Sequence, residues 1–140
     1  LVEEYIPGRE LTVGVVESLS HEAAATRFQV LPVVEIKTAT EWYDFDAKYV
    51  TGDTQYVVPA ELDTDIVQQL QEIALQTFQC LEAGGFGRVD FRLTPEGKPY
   101  VLELNAIPGF TASSLLPKAA QAAGIDFSAL CCRIMELAHT

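Results

Sequence analysis

Positive charge is scarce in this sequence. Its 140 residues include 9 lysines and arginines against 20 aspartates and glutamates, which gives a formal net charge of −11 at pH 7. This balance opposes broad contact with a nucleic-acid backbone or an anionic membrane surface, because like charges repel. It does not oppose a nucleotide, since divalent cations and one or two well-placed basic side chains can supply positive charge. We therefore expect no nucleic-acid partner and no membrane partner.

Cysteine and long apolar runs are scarce as well. The three cysteines form an odd set without a disulfide framework or a zinc-like spacing, so we expect a reducing, cytoplasmic setting. No apolar run reaches the roughly 18 to 20 residues of a membrane span, and nothing resembles a secretory signal. Residue 1 is Leu rather than Met, and we expect the chain to be part of a longer protein.

The remaining composition is that of a folded domain. Hydrophobic residues make up 49% of the chain and charged residues 21%, which are the proportions of a globular protein. A chain of this length buries roughly two thirds of the surface that it exposes when unfolded, enough for a core without disulfides. Without a repeat, a low-complexity tract or a linker, the sequence predicts one domain over residues 1–140.

Hydrophobic patterns predict an α+β fold in which helices flank a mostly antiparallel sheet. The expected strands are residues 1–6, 11–16, 28–36, 88–93 and 99–105. Pro32 should create an edge or a bulge in the third of them. The expected helices are residues 63–81, 114–123 and 126–138, of which the first has Asp63 as a cap and Gly84-Gly85 as its end. Residues 38–54 show no sustained period and are expected to be irregular, with a short strand near 47–50.

The last two predicted strands place two carboxylates together. Alternate residues of a strand share a face, so a four-residue loop at 95–98 would bring Asp90 opposite Glu103. The same register sets Arg88 opposite Asn105. Like charges directly opposite each other destabilise a sheet, so this pair needs open solvent, a raised pKa or a bound cation.

Two readings of this hairpin stay open from the residues alone. Aspartate, glutamate and amide oxygens together suit Mg²⁺ or Mn²⁺ rather than zinc, which would make the hairpin a metal site for phosphate chemistry. The alternative is the ordinary solvated face of an antiparallel hairpin.

The segment after Asn105 adds a second feature. Pro108-Gly109 turns the chain, and Ser114 can cap the helix that is predicted to follow. Free backbone amides at a glycine turn and at a helix start favour a carboxylate or a developing oxyanion. An ordinary capped helix is the alternative, but the position next to the acidic hairpin favours an anion site.

Six segments carry a resemblance to a known family. They are VEEYI (2–6), GRELTV (8–13), LPVVEI (31–36), YDFDAKY (43–49), GRVDF (87–91) and LELNAIPG (102–109). In this order and at these intervals they resemble the C-terminal part of D-alanine–D-alanine ligases of the ATP-grasp superfamily. The resemblance implies an ATP-grasp C-terminal subdomain that uses ATP and two Mg²⁺ or Mn²⁺ ions.

The resemblance also implies where the nucleotide binds. Glu3 and the carbonyl of Glu4 would accept from the exocyclic amine of adenine, and the Ile6 amide would donate to the ring. Glu10 would hold the ribose hydroxyls, because a carboxylate can accept from two vicinal hydroxyls. Without the rest of the pattern, plain surface charge would be the favoured explanation of these glutamates.

The same resemblance assigns the phosphates and the metals. Lys48 would contact the nucleotide phosphates, while Trp42 would either flank the nucleotide or lie in a core or lid. Asp90, Glu103 and Asn105 would hold the two metal ions, with Glu103 bridging them. This agrees with the ligand set that the hairpin pattern indicates.

The substrate residues come from the same family pattern. Arg88 and the Gly109 amide would stabilise the oxyanion of a tetrahedral intermediate. Ser114 and the Leu115 amide would hold the carboxylate of the second D-alanine. Tyr49 resembles the tyrosine of dipeptide-forming members, whereas ester-forming relatives that use D-lactate commonly carry phenylalanine there.

The implied reaction forms a dipeptide for peptidoglycan synthesis through an acylphosphate made from ATP and D-alanine. Full-length ligases also have an N-terminal and a central domain, which do not precede Leu1 here, so we expect this part alone to be inactive. The sequence is compatible with a homodimer. The alternatives are another ATP-grasp carboxylate–amine ligase, a D-alanine–D-lactate ligase, or a non-catalytic fragment that binds nucleotide or metal.

Overall fold

The computed structural model describes residues 2–19, 26–38 and 54–139. Its strands are β1 (Arg9–Glu17), β2 (Phe28–Val30), β3 (Val34–Lys37), β4 (Gln55–Val57), β5 (Phe86–Leu93) and β6 (Pro99–Asn105). Its helices are α1 (Thr64–Cys80), α2 (Leu115–Ala122) and α3 (Phe127–Leu137). In the described part of the chain, every helix is too short or too polar to span a lipid bilayer. The short strand predicted near residues 47–50 lies outside the described residues.

β1 is the central strand of an antiparallel sheet. The order is β4-β3-β1-β5-β6, and β2 pairs with β1 further along the edge that β3 occupies. Because β1 has strands on both sides and helices on both faces, its residues 11–16 form an unbroken buried run. The predicted α+β class with antiparallel strands is confirmed.

Each face of the sheet has its own apolar core. The α1 face is covered by α1, and its core includes Leu11, Val13, Val15, Leu70, Ala74, Phe78, Val89 and Phe91. The α2/α3 face is covered by α2 and α3, and its core consists of Val16, Leu31, Val34, Leu116, Ala119, Ala120 and Leu130. Gly14 lets α2 approach β1 closely, because a Cβ there would lie 2.5 Å from a methyl carbon of Leu116.

The strand predicted at residues 1–6 is absent from the part of this segment that the structure describes. Residues 2–7 have no regular structure, and the pairing of β1 with β5 starts at Arg9 opposite Leu93. A strand satisfies its backbone groups through a neighbour, and no described strand lies beside residues 2–7. The prediction is wrong because an apolar run indicates a strand without indicating whether a partner is present.

The strand predicted at residues 28–36 is interrupted at Pro32. Val15 pairs with Val30 and Thr12 pairs with Val34, so residues 13–14 of β1 face residues 31–33. The extra residue is a β-bulge, which suits a proline because proline has no N–H for the ladder. The predicted bulge is confirmed.

The three predicted helices are confirmed to within one residue at each end. Asp63, Ser114 and Asp126 occupy the N-cap positions, as expected for their residue types. Of these three caps only the Asp126 carboxylate accepts a capping hydrogen bond, from the Ala129 amide at 2.8 Å.

The C-terminus of α1 departs from the prediction in its chemistry. The residue with left-handed backbone geometry after the helix is Glu82, at φ 52°, and not a glycine. Its amide donates to the Gln79 carbonyl, and the Ala83 amide donates to the Phe78 carbonyl, both at 3.0 Å. These two bonds form a Schellman motif, in which glycine is the usual residue at the position of Glu82.

Candidate functional site

The turn of the β5–β6 hairpin differs from the predicted one. The Thr94 amide donates to the Lys98 carbonyl at 3.0 Å, which closes a three-residue loop with Gly97 at φ 81°. This loop pairs Leu93 with Pro99. The predicted four-residue loop is therefore wrong, and by itself the shorter loop would set Asp90 opposite Leu102.

A β-bulge at Leu102 restores the predicted pairing where the chemistry lies. The register shifts between Asp90 and Phe91, so that Asp90 pairs with Glu103 and Arg88 pairs with Asn105, as predicted. One extra residue in β6 moves every following side chain to the other face. The two carboxylates therefore face each other because of the bulge, and Leu102 joins them at the same cavity.

The cavity has a volume of about 390 Å³ and lies beside the α2/α3 face. Its lining includes seven predicted site residues, namely Glu10, Arg88, Asp90, Glu103, Gly109, Ser114 and Leu115. The sheet supplies the charged residues from β1, β5 and β6. The turn and the start of α2 supply the others, so the acidic hairpin and the predicted anion site open into one space.

Asp90 accepts four hydrogen bonds at this cavity. One of its oxygens accepts from the Thr12 hydroxyl at 2.6 Å and from Arg88 Nε at 2.8 Å. The other accepts from Arg88 Nη2 at 2.9 Å and from Asn105 Nδ2 at 2.9 Å. Arg88 binds the carboxylate in a bidentate manner, through Nε and Nη2, which is the strong geometry for arginine–carboxylate pairs. The positive charge expected beside the two acids is thus in contact with Asp90.

Asn105 links the two carboxylates. Its Nδ2 donates to Asp90 and, at 3.3 Å, to Glu103 Oε1. Rotation of the amide by half a turn would point Oδ1 to the same place, where it would be a cation ligand instead of a donor. Two carboxylates and an amide oxygen then form an all-oxygen set of the kind that Mg²⁺ prefers together with phosphate oxygens.

The donor set also limits which ions fit. Within residues 2–19, 26–38 and 54–139, no three His, Cys, Asp or Glu side chains come together in a metal-binding arrangement. Among the described residues, a cation at this cavity would use Asp90, Glu103 and Asn105, and substrate or water oxygens would be further ligands. That pattern fits a nucleotide-bound Mg²⁺ better than a protein-enclosed Zn²⁺.

The turn between β6 and α2 is held by Ser114 in a way that the sequence did not predict. Ser114 is the N-cap residue of α2, but its hydroxyl accepts from the Thr111 amide at 3.0 Å and contacts the Thr111 hydroxyl at 2.8 Å. The serine therefore fastens the turn and does not cap the helix. A Cβ on Gly109 would lie 3.4 Å from the Ser114 hydroxyl oxygen, an ordinary van der Waals distance, so this contact does not itself require glycine.

Of the other predicted site residues, Asn105 contacts the cavity residue Asp90, whereas Glu3, Glu4 and Ile6 are not part of the described lining. Glu3 and Glu4 are exposed and Ile6 is half-buried, all on the irregular segment before β1. Trp42 and Lys48 lie outside the described residues. The predicted roles of these five residues stay predictions.

Some residues at the cavity were not among the site residues predicted from the sequence. Ile36, Thr54, Tyr56 and Leu102 also line the cavity, and Thr12 contacts Asp90 from beneath. Thr12 is the one polar side chain within the buried run of β1. A polar residue within a buried apolar run could have identified Thr12 as a site residue, but threonine is also common in strands for reasons of propensity alone.

A comparison with known families decides the family of this fold. The profile described as the D-ala D-ala ligase C-terminus matches residues 1–136. The chain belongs to the D-alanine–D-alanine ligase family. The resemblance inferred from the sequence is confirmed, and the sheet with its three described helices is the C-terminal subdomain of an ATP-grasp ligase.

Curated members of the ligase family match almost the whole chain. The D-alanine–D-alanine ligase of Laribacter hongkongensis is 40% identical over 139 residues, which are 99% of this chain and 42% of that protein. The one of Gloeobacter violaceus is 41% identical over 137 residues, which are 97% of this chain and 42% of that protein. The chain thus spans about two fifths of the length of these relatives.

Solved structures of ligases agree with the fold. A D-alanine–D-alanine ligase from Bacillus anthracis complexed with ATP has a TM-score of 0.76 at 32% identity, covering 96% of this chain and 39% of that chain. The VanG D-Ala:D-Ser ligase from Enterococcus faecalis has a TM-score of 0.78 at 30% identity, covering 96% and 37%. Two ligases that are named for different acceptors, D-alanine and D-serine, therefore share this fold.

Proposed function

We propose that this chain is the C-terminal part of a cytoplasmic, ATP-dependent D-alanine–D-alanine ligase that serves peptidoglycan synthesis. The observation that carries the proposal is the single cavity in which Asp90 and Glu103 meet Arg88 and the Gly109 turn. Membership of the ligase family supports it. Residues 1–140 would act as one domain beside the N-terminal and central parts of the same ligase.

The reaction joins two anionic substrates and needs positive charge. The carboxylate of one D-alanine attacks the γ-phosphate of ATP, the bond to ADP breaks, and an acylphosphate forms. The amine of a second D-alanine then attacks the acyl carbon, loses a proton and displaces inorganic phosphate. Both steps bring negative groups together, so positioning and electrostatic stabilisation carry most of the catalysis.

The acidic hairpin would hold the metal ions of this reaction. Asp90, Glu103 and Asn105 would supply the oxygen ligands for two Mg²⁺ or Mn²⁺ ions. When bound, these ions neutralise and orient the triphosphate. Because Asp90 and Glu103 lie opposite each other on paired strands, the sheet keeps their separation constant without a loop having to close.

Four residues around the cavity would act on the reacting groups. Arg88 and the Gly109 amide would stabilise the negative oxygen that develops at the acyl carbon, since fixed donors aimed at developing charge are effective in a low-dielectric site. Ser114 and the Leu115 amide would hold the carboxylate of the second D-alanine at the start of α2, where the helix dipole favours an anion.

The nucleotide would span the cavity and the first segment of the chain. Glu10 lines the cavity and would hold the ribose. Glu3, Glu4 and Ile6 would bind the adenine, while the two residues beyond the described part, Lys48 and Trp42, would bind the phosphates and flank the nucleotide.

The test uses the full-length ligase that contains this chain. Wild type should release phosphate from ATP when D-alanine is added, and Asp90→Asn combined with Glu103→Gln should lower that rate at least 100-fold, since the metal ligands are lost. Glu96→Gln is the matched control, because Glu96 is an exposed acid at the far end of the same hairpin. Equal loss in the control, or full activity in the double variant, would contradict the proposal.

A second candidate is a ligase with another acceptor. The likeness to a D-Ala:D-Ser ligase favours this alternative specifically. Phosphate release should therefore be compared with D-alanine, D-serine and D-lactate as the second substrate, with the product identified by mass. Preference for D-serine or D-lactate would replace the dipeptide assignment and leave the metal site in place. Metal and nucleotide binding without turnover would favour a non-catalytic role.

A further inference from the structure

The buried hydroxyl of Thr12 stands out beneath the cavity. Thr12 is 1% exposed, and the other buried polar residue among those described is Glu35. Glu35 pairs with Arg9 on the opposite face of the sheet. A buried hydroxyl costs free energy unless it forms a hydrogen bond, so the partner of Thr12 shows what this hydroxyl does.

Two acceptors lie within reach of the single hydroxyl proton. Asp90 Oδ1 is 2.6 Å from Thr12 Oγ1, and the Val89 carbonyl oxygen is 3.2 Å away. Hydrogen bonds to ionised acceptors are shorter and stronger than those to neutral carbonyls. The distances therefore assign the proton to Asp90, and the contact with Val89 is secondary.

The strand register makes this contact rigid. Thr12 pairs directly with Asp90 across β1 and β5, and with Val34 across β1 and β3. The backbone of Thr12 is therefore held from both sides. Its hydroxyl is a fixed donor below the floor of the cavity, whereas Arg88 and Asn105 reach Asp90 with longer side chains that can rotate away.

This difference matters for metal binding. The proposed function requires Asn105 to turn its amide oxygen towards a cation and Arg88 to serve a reacting oxygen, so both must give up bonds to Asp90. Thr12 has no such second task. Its bond to Oδ1 can persist while Oδ2, the oxygen now shared by Arg88 and Asn105, faces a cation.

We propose that Thr12 is a positioning residue that holds the Asp90 carboxylate in the orientation required for metal binding. The proposal rests on the proposed function, because it treats Asp90 as a metal ligand. Thr12 itself does not touch substrate or metal. Its effect is to spare the site the entropic cost of ordering Asp90 after its other two partners have left.

The test compares Thr12→Val with Thr12→Ser in the full-length ligase. Valine keeps the branched shape and removes the hydroxyl, whereas serine keeps the hydroxyl and removes the methyl group. Titration of Mn²⁺ in the presence of ATP, followed by the paramagnetic signal of free Mn²⁺, should show about tenfold weaker binding in Thr12→Val. Thr12→Ser should bind within about threefold of wild type.

Unfolding without ligands records any effect of the two variants on stability, and Mn²⁺ affinity alone tests the positioning role. The proposal expects the hydroxyl to decide Mn²⁺ affinity whether or not either variant shifts the unfolding temperature. Wild-type Mn²⁺ affinity in Thr12→Val would overturn the proposal, and so would equal weakening in both variants. If Thr12→Val did not fold, Thr12→Ala and Thr12→Ser would provide the same comparison.

The Asp90→Asn, Glu103→Gln double variant distinguishes a failure of the proposed metal site from a failure of the proposed role of Thr12. If wild type and the double variant bind Mn²⁺ equally, the proposed metal site is wrong, and the role of Thr12 falls with it. If the double variant loses binding while Thr12→Val keeps it, only the positioning role of Thr12 is wrong.

Discussion

The two faces of the sheet each carry an arginine–carboxylate pair, and the pairs are alike in geometry. On the α1 face, Arg9 holds Glu35 through two hydrogen bonds of 2.7 Å. On the α2/α3 face, Arg88 holds Asp90 through bonds of 2.8 and 2.9 Å. Both pairs use the planar fork of the guanidinium group. Geometry alone would therefore assign both the same role.

The surroundings of the two pairs differ in charge. Glu35 has a second cation nearby, because Lys37 Nζ lies 3.7 Å from its carboxylate. Asp90 instead shares the described lining of its cavity with two further carboxylates, Glu10 and Glu103, and with the guanidinium of Arg88. Two cations beside one carboxylate balance its charge, whereas neighbouring carboxylates that repel each other favour a bound cation. The comparison indicates that the charges of the neighbouring side chains, and not the geometry of the pair, distinguish a stabilising ion pair from a candidate binding site.

The largest expected effect comes from the Arg88 pair. Arg88→Met in the full-length ligase should lower kcat by about 100- to 1000-fold, because a donor aimed at the developing oxyanion is removed. The same change should leave Mn²⁺ affinity unchanged or raise it, since Arg88 competes with a cation for Asp90. Steady-state kinetics and a Mn²⁺ titration measure the two quantities. Normal kcat, or a loss of Mn²⁺ binding equal to that of Asp90→Asn, would place Arg88 in a different role.

The Arg9 pair should respond in the opposite way. Arg9→Met leaves the buried Glu35 carboxylate without its main partner, which should lower the free energy of unfolding by about 1–3 kcal/mol. The lower part of this range is expected because the Arg9 side chain is 38% exposed. The kcat should change less than threefold. Chemical denaturation and kinetics on the same preparation check both statements.

Lys37→Met provides the matched control for Arg9. Its ammonium group is half exposed and 3.7 Å from Glu35, so its removal should cost about 0.5 kcal/mol or less. If Lys37→Met cost as much as Arg9→Met, the stabilisation would come from general charge balance on this face and not from the bidentate pair.

The Arg9 pair also predicts a dependence of stability on pH. The hydrogen bond from Arg9 lowers the pKa of Glu35 against the opposing effect of burial. A carboxyl whose pKa is lower in the folded state contributes stability above its unfolded pKa of about 4.3 and loses that stability as the pH falls through its folded pKa. Glu35→Gln should therefore lower the free energy of unfolding by about 1–2 kcal/mol at pH 7.

The pH series itself is the measurement. The difference between wild type and Glu35→Gln should be constant from pH 7 to about pH 5 and shrink below that. Glu72→Gln, which removes an exposed carboxylate of α1, gives the background. A difference that grows as the pH falls would have the wrong sign for the Arg9–Glu35 pair.

The sequence predicts the helices and strands of the two faces better than it predicts how the strands pair. Apolar spacing identifies α1, and alternation identifies β5 and β6, because both depend on which residues are near in the chain. The pairing of Asp90 with Glu103 is also predicted correctly, but the prediction assumed a four-residue loop where the structure has a three-residue loop. A bulge at Leu102 compensates for the shorter turn. No local feature of an alternating apolar run indicates a bulge, which depends on the pairing of the whole strand.

Polar residues inside apolar runs were the least predictable part of the site. From the sequence, Thr12 is an ordinary β-branched strand residue. The role of its hydroxyl becomes apparent only from its contact with Asp90, which lies 78 residues away in the chain. The segment at residues 2–7 shows the reverse case, since its residues suit a strand but no described strand pairs with them. Long-range neighbours decide both outcomes, and local propensity does not contain them.

A small effect on stability is expected at the C-terminus of α1, on the α1 face alone. The C-termini of α1 and α2 form the same Schellman motif, but the left-handed residue is Glu82 after α1, whereas it is Gly124, at φ 84°, after α2. A side chain at this backbone geometry is strained, and glycine relieves the strain at the cost of a more flexible unfolded chain. Glu82→Gly should therefore raise the free energy of unfolding by about 0.5–1 kcal/mol and leave kcat and Mn²⁺ affinity as they are.

Glu82→Ala separates the backbone from the charge in this last prediction. Alanine removes the negative charge at the C-terminal end of α1, which should gain a few tenths of a kcal/mol, but it keeps the Cβ that glycine lacks. The gain of Gly over Ala therefore measures the backbone strain itself, and urea denaturation of the three proteins resolves it. Equal stability of the two variants would mean that charge accounts for the whole effect. A change in Mn²⁺ affinity in either variant would show that the two faces of the sheet are coupled, because α1 packs against the side of β1 and β5 opposite the cavity.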